Sequence, residues 1–278
     1  MSIYANIKSL PTHNFVRKVG LNLPRFLYLC RLVAEYEAKE QEEQPMKKRG
    51  APAKKLTFPD KILLTLYYLR HYQTFDLLGE HFGISESYAC KVYHRYHDIL
   101  VKVLRLPSRK RLLEDDLEAI LIDVTEQPIE RPKKHQRNFY SGKKKRHTIK
   151  AQLIVCLTTL TILVAACGKG RTHDFTLFKR TNRGILSSIM KYADSGYQGL
   201  QKLLANTTLP FKRTKKKPLT PEQTQHNREL ARLRIAVEHV NRRCKIFRIV
   251  KETYRGKHKH YGKNWTLVAE LVNLRYAT

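Results

Sequence analysis

The sequence predicts an all-α domain containing a helix-turn-helix, followed by an α/β domain built on a mixed sheet. Three observations predict it. Between residues 56 and 110 apolar side chains recur at helical spacing, broken by the tight turn "FGIS" at Phe82–Ser85. From about residue 117 the pattern changes to β-branched runs of strand length. The chain then closes on amphipathic helices, the longest opening at "TPEQ". With 42% hydrophobic residues over 278 positions, the chain can bury a real core, which excludes a disordered polycation.

The elements follow in order. Residues 24–42 read as a helix: Pro24 suits its first turn, and Phe26, Leu29, Cys30 and Val33 share one face. Residues 1–45 are therefore an N-terminal helical segment. "MKKRGAPAKK" at Met46–Lys55 is a basic linker, whose "RGAP" core loosely resembles arginine-glycine arms of the DNA minor groove. In the domain at 56–110, a helix from Pro59 to His71 points Ile62, Leu63, Leu66 and Leu69 inward. Thr74 caps a short helix, Phe75–Phe82. Gly83 makes the turn, and Ser85 caps a third helix reaching Tyr96. Helix, helix, tight turn, helix is the helix-turn-helix pattern.

The second domain, 111–278, begins with a strand at Ala119–Val124 that ends in polar residues. "RHTIKAQLIVCL" and "TILVAACG" make two more strands. "THDFTLFKRTNRGILSSI" is a helix that Asp174 can cap, and "KYAD" is a fourth strand. Thr220, Pro221 and Gln223 then form a capping box for a long helix. Its stripe is Leu230, Leu233, Val237, Val240, Cys244 and Phe247. A closing helix spans Trp265–Leu274. The order β-β-β-α-β-α, with a meander before the first helix, specifies a ribonuclease H-like mixed sheet.

The 54 basic and 24 acidic side chains leave a formal charge of +30, which demands a polyanionic partner. Nucleic acid is the leading candidate, because phosphate neutralisation releases counterions. In the helix-turn-helix, Ser85, Glu86, Ser87, Tyr88, Lys91, His94 and Arg95 would face DNA. The five cysteines form no C-x-x-C pair, so zinc-ribbon and redox motifs are unsupported. Their apolar neighbours fit a reduced cytoplasmic protein, the N-terminus has no signal-peptide pattern, and DNA binding would place the protein on the nucleoid. "LIVCLTTLTILVAAC" at Leu153–Cys167 is too short to span a membrane and reads as two strands joined near Thr158 and Thr159.

Three acids stand out. Asp123 ends the first strand of the second domain, Asp194 ends the fourth, and Glu238 lies mid-helix beside the apolar stripe. Carboxylates converging from strand ends and a crossing helix repel one another unless cations fill the space. Hard oxygen ligands suit Mg2+ or Mn2+, and two such ions serve phosphodiester chemistry. Taken singly, each acid has a local explanation: a turn cap for Asp123, an Asx-turn with Gly196 for Asp194, and an ion pair with Arg234 for Glu238. Arg234, Glu238, Asn241 and Lys245 share one helical stripe. Asp174 competes for the second acid position but is explained as a helix cap. The acidic "LEDDLE" run, Leu113–Glu118, reads as a solvated helix or connector. Two basic runs read as phosphate-holding loops with aromatics able to stack on an unpaired base. One is Arg131–Lys150, with Lys143, Lys144, Lys145, Arg146 and Lys150; the other is "PFKRTKKKP" at Pro210–Pro218.

Six stretches in their joint order carry a family resemblance: "IDVTEQPIERP", "NFYSGKKKRHTIKAQLIV", "THDFTLFK", "ADSGYQGL", "KKKPLTPEQTQHNRELARLRIAVEHVNRRCKIFRI" and "LVNLRY". From about residue 55 onward the chain resembles bacterial insertion-sequence transposases of the DDE type, in the insertion-sequence-five-like group. The resemblance implies that Asp123, Asp194 and Glu238 are a triad binding Mg2+ or Mn2+, as two ions. It implies that Arg234 and Lys245 belong to the signature around the glutamate. That signature often has Tyr three positions before the Arg, where this chain has Ala231. The interval between Asp194 and Glu238 leaves no room for a large insertion domain. The implied partners are double-stranded DNA, as terminal inverted repeats and target, and a second copy in a homodimer, with no membrane. The implied reaction is metal-dependent nicking and strand transfer. A catalytically silent regulator derived from a transposase, and a nuclease that never rejoins strands, are the competing readings.

Overall fold

The computed structural model describes residues 2–43, 56–107, 112–113, 117–181, 184–214 and 218–277. The expected linker at 46–55 with its "RGAP" core lies outside them, as do the centre of the "LEDDLE" run and Lys215–Lys217 of the second basic run. Two compact units are present: Met1–Arg105 with Ile246–Ile249 and Glu270–Thr278, and Leu106–Lys245 with Val250–Ala269.

The first unit holds α1 (Ile3–Ile7), α2 (Thr12–Val19), α3 (Leu23–Glu43), α4 (Phe58–His71), α5 (Phe75–Phe82) and α6 (Glu86–Val103). Thr57, Thr74 and Ser85 each place a side-chain oxygen on a first-turn amide, which starts α4, α5 and α6. α6 runs on to Val103, past the expected end at Tyr96, because buried Ile99 and Leu100 continue the stripe of Ala89, Val92, Tyr93 and Tyr96. Gly79 lets the helix-turn-helix close: a Cβ there would lie 2.7 Å from the Ile84 carbonyl oxygen. α1 and α2 lie ahead of the first helix read from the sequence, and Phe15 of α2 meets Phe26 of α3 edge-on at 5.8 Å.

The end of the chain returns to this unit. The Arg25 guanidinium donates to the Leu274 and Ala277 carbonyls, Arg70 donates to that of Ile246, and Arg275 donates to that of Gly20 at 3.1 Å. Long-range caps of this kind have no periodic signature, which is why the sequence assigned all of 111–278 to the second domain.

Asp60 is the buried anchor of the unit, at 1% exposure. It accepts from Ser2 Oγ (3.0 Å), the Tyr4 amide (2.8 Å), Thr57 Oγ1 (2.6 Å) and the Thr57 amide (3.3 Å). Asp60→Ala is expected to cost about 2 kcal/mol, from a lost capping box and the lost hydrogen bonds of half-buried Ser2 and Tyr4. Chemical denaturation followed by circular dichroism checks it; an unchanged midpoint would refute this account of α1 and α4.

The second unit holds β1 (Ala119–Pro128), α7 (Gln136–Phe139), β2 (Tyr140–Ser141), β3 (Arg146–Cys156), β4 (Ile162–Lys169), α8 (Asp174–Thr181), β5 (Met190–Ala193), β6 (Thr207–Thr208), α9 (Pro221–Cys244) and the start of α10 (Tyr261–Tyr276). β4, β3 and β1 pair antiparallel, β5 joins β1 in parallel, and β6 joins β5 in parallel. β2 adds a short rung to β3. An antiparallel meander followed by parallel strands is the ribonuclease H-like arrangement the element order predicted. The apolar Leu153–Cys167 stretch forms β3 and β4, and among the described residues no helix is long and apolar enough to cross a membrane.

The two faces of β1 separate core from chemistry. Ile120 and Ile122 face the cluster of Ile154, Val164, Phe178, Ala193, Tyr197 and Leu200. α9 opens on the expected capping box and buries Leu230, Val237, Val240 and Cys244. Its stripe is narrower than expected, since Leu233 is only half-buried and Phe247 lies beyond the end of the helix. α8 stops at Thr181, whose hydroxyl donates to the Leu177 carbonyl at 2.8 Å; the helix was expected to reach Ile189.

Candidate active site

The parallel ladder between β1 and β5 places two of the three expected acids. Its last register pair is Ile122 with Ala193. Asp123 is the next residue of β1 and Asp194 the first past β5, and neighbouring strands run about 4.8 Å apart in any sheet. β1 itself does not end at Asp123, as expected, because pairing with β3 carries it on to Pro128. Asp194 opens the turn Ser195–Tyr197, and its Oδ1 accepts from the Gly196 amide at 2.8 Å. The Asx-turn offered as its local explanation is therefore formed, and it fixes where the carboxylate sits.

Asp123 is enclosed by α9. Its Oδ2 accepts from Asn241 Nδ2 at 2.8 Å, and its Oδ1 lies 3.7 Å from the Arg234 guanidinium. Burial pushes its carboxyl up to about 6; Arg234 opposes that rise, and Asp194 adds to it. Lys245 feels the same carboxylate, although burial is the larger effect and lowers its ammonium. Below these groups Tyr197 donates to Gln152 Oε1 at 3.2 Å. Its hydroxyl is pushed well above the ordinary phenol range, first by burial and then by Asp174, Asp123 and Asp194.

Asp174 enters this neighbourhood for a reason other than helix capping. Its Oδ1 accepts from Lys150 Nζ at 2.7 Å, and Lys150 also lies 3.7 Å from Glu126. Lys150 was expected on DNA; it is instead buried at 8% exposure and neutralises two carboxylates. Gly196 separates Asp174 from Asp194: a Cβ there would fall 2.8 Å from Asp174 Oδ2 and 2.9 Å from Asp194 Oδ1.

Glu238 stands on α9 with its side chain toward solvent. No three acidic, histidine or cysteine side chains among the described residues are grouped to hold an ion. Arg234 and Asn241 of the predicted stripe contact Asp123, and Lys245 lies near enough to feel its charge; Glu238 stands four residues after Arg234 and three before Asn241. Asn241 stood on that stripe in the sequence, but nothing local marked it as the partner of Asp123.

Residues 122–273 match the family described as DDE superfamily endonuclease, and residues 54–106 match the helix-turn-helix of DDE superfamily endonuclease. The chain is 39% identical over 274 residues to a Microchaete diplosiphon protein named as probable transposase for insertion sequence element IS702, covering 97% of each. The chain belongs to the DDE-type insertion-sequence transposases. A Streptomyces albus G protein named as putative transposase for insertion sequence element IS112 is 26% identical over 200 residues, covering 71% of this chain and 72% of its own. No solved structure matches.

The transposase thus combines a helix-turn-helix unit with a DDE endonuclease unit, and membership implies dependence on a divalent metal. Three features fit a hard cation: the raised Asp123 carboxyl, the neighbouring Asp194, and the buried Asn241 Oδ1, which has no hydrogen-bond partner. On the helix-turn-helix, Ser85, Ser87 and Lys91 are exposed, and Tyr88 is half-buried. Arg95 is committed to Glu37 and Glu40 of α3 at 3.3 and 3.2 Å. Lys143, Lys144, Lys145 and Arg146 are all exposed at the turn into β3, and Lys144 is close enough to Lys245 to lower its ammonium. Of the nearby aromatics, Phe139 is engaged by His258 at 4.7 Å and by Lys169, whereas Tyr140 is 44% exposed.

A pH prediction follows for the metal-free transposase. Asp123 titrates at about 6 in the folded chain and near 3.9 when unfolded, so between these values the folded state binds the extra proton. Stability is therefore expected to fall as pH rises through this window. Added Mg2+ should reverse the loss above pH 6 and have no effect below about pH 4, where the carboxyl stays protonated. Thermal melts across pH, with and without Mg2+, test this. Asp123→Asn should remove both the pH step and the Mg2+ response.

Proposed function

We propose that the transposase nicks DNA at the terminal inverted repeats of its element and joins the freed 3′-hydroxyl to target DNA. The observation that carries the reading is the register pair Ile122–Ala193, beyond which Asp123 and Asp194 follow on neighbouring segments of a chain whose formal charge is +30. Asp123 and Asp194 would hold Mg2+ or Mn2+, as two ions, with Glu238 as the third ligand once phosphate draws Arg234 away from Asp123. The bound ions would activate the attacking oxygen and stabilise the leaving oxygen. Arg234 and Lys245 would take the phosphates at the site, and Asn241 would orient Asp123. Lys143, Lys144, Lys145 and Arg146 would track the backbone, with Lys150 acting through Asp174 rather than on DNA.

Ser85, Ser87, Tyr88 and Lys91 at the start of α6 would read the inverted repeat in the major groove. Arg95 would join them on release from Glu37 and Glu40. Two ends must be held together, so the acting form is a homodimer working on the nucleoid. The exposure of Glu238 favours one second reading, a catalytically silent DNA-binding regulator derived from a transposase.

Labelled element ends incubated with Mg2+ or Mn2+ decide among these. Nicked and strand-joined products support the transposase reaction; nicked product alone indicates a nuclease. Retention of the DNA with no cutting indicates the regulator.

A further inference from the structure

The segment Leu209–Phe211 is pinned at three consecutive carbonyls by side chains. His226 Nε2 donates to the Leu209 carbonyl at 3.3 Å, and Gln198 Nε2 donates to that of Pro210 at 3.0 Å. Asn227 closes a two-bond clasp on Phe211, accepting from its amide at 2.8 Å and donating to its carbonyl at 3.0 Å. So rigid a backbone nevertheless presents an apolar ring to solvent: Phe211 is 47% exposed, and His226 braces it edge-on at 5.0 Å. Exposed Lys212 and Arg213 follow immediately.

The segment is wired to the candidate site from two sides. Gln198 follows the turn that opens at Asp194. Asn227 lies two turns before Arg234 on the same face of α9, about 10 Å along the helix axis. An exposed ring ordered in advance loses little conformational entropy when it stacks, and every base offers a flat face to it. The flanking cations suit the adjoining phosphates.

We propose that Phe211 is a fixed stacking platform for an unpaired base of the DNA strand processed at Asp123 and Asp194. The inference rests on the transposase reading above and adds the conformation in which the strand is held. The probes are two short duplexes, one blunt and one with a single-stranded overhang containing 2-aminopurine. Binding is followed by anisotropy, stacking by quenching of the 2-aminopurine fluorescence, and folding of each variant by its melting temperature.

The wild type should bind both probes and quench the overhang. Phe211→Leu should bind the overhang duplex about tenfold more weakly and lose the quench, with blunt-duplex affinity changed by less than about twofold. Phe211→Trp should restore both, and Asn227→Ala should lose part of each. Equal quenching by Phe211→Leu, or equal weakening on both probes, would overturn the proposal. A wild type that binds both duplexes without quenching removes the platform alone; one that binds neither removes the DNA-binding reading as well.

Discussion

Asp194→Asn is expected to lower metal-dependent strand cleavage by at least about 10³-fold, with duplex binding and melting temperature close to wild type. Asparagine keeps the shape of the side chain, and its Oδ1 can still accept from the Gly196 amide, as the Asp194 carboxylate does at 2.8 Å. The change therefore removes one negative charge and leaves the turn standing. Loss of a charged ligand weakens cation binding by several kcal/mol, and each 1.4 kcal/mol is a factor of about ten in rate. Asp123→Asn should lose cleavage to the same extent, because the two residues continue the same register pair, while its melting temperature loses the pH step described above. Cleavage assays on labelled element ends, with binding by anisotropy, give the comparison. Activity above about a tenth of wild type in either variant would remove the paired aspartates from the reaction.

Gly196→Ala is expected to have the next largest effect, about 10²-fold on cleavage and about 2 kcal/mol on stability. The added Cβ would sit 2.8 Å from Asp174 Oδ2 and 2.9 Å from Asp194 Oδ1. Neither oxygen yields freely: Lys150 holds the Asp174 carboxylate at 2.7 Å, and the Gly196 amide holds that of Asp194. The turn must shift, and Asp194 shifts with it. Combining Gly196→Ala with Asp174→Ala opens space on one side, so the double variant should recover part of the cleavage lost in Gly196→Ala. Such non-additivity is the signature of residues in contact. Strictly additive losses in single-turnover cleavage would show that Asp174 does not press on this turn.

Much of the fold was legible because it depends on neighbours in sequence. Thr74 and Gly83 bound α5 at the residues expected, and Thr220, Pro221 and Gln223 start α9 with the expected capping box. The strands announced themselves by β-branched runs, and the meander by their order. Asp123 and Asp194 were legible because each follows an apolar run that has to be a buried strand.

Charge pairing was the part that the sequence did not show. Lys150 sat in a run of cations read as holding phosphates, yet β3 carries it inward to Asp174 and Glu126. Arg95 looked free until α3 brought Glu37 and Glu40 to it. Glu238 shared a stripe with Arg234, Asn241 and Lys245, and the stripe alone could not tell which of them Asp123 would select.

Sequence alone determined the helix-turn-helix, the ribonuclease H-like strand order and the apolar runs that lead into the two aspartates, because periodicity and caps act within a few residues. Tertiary structure alone decided that Arg234 and Asn241 flank Asp123, that Lys150 is internal, and that Phe211 is clasped in place. Those outcomes depend on which opposite charge or hydrogen-bond donor a buried group meets across the fold, and desolvation makes that partner, not the local pattern, set the energy.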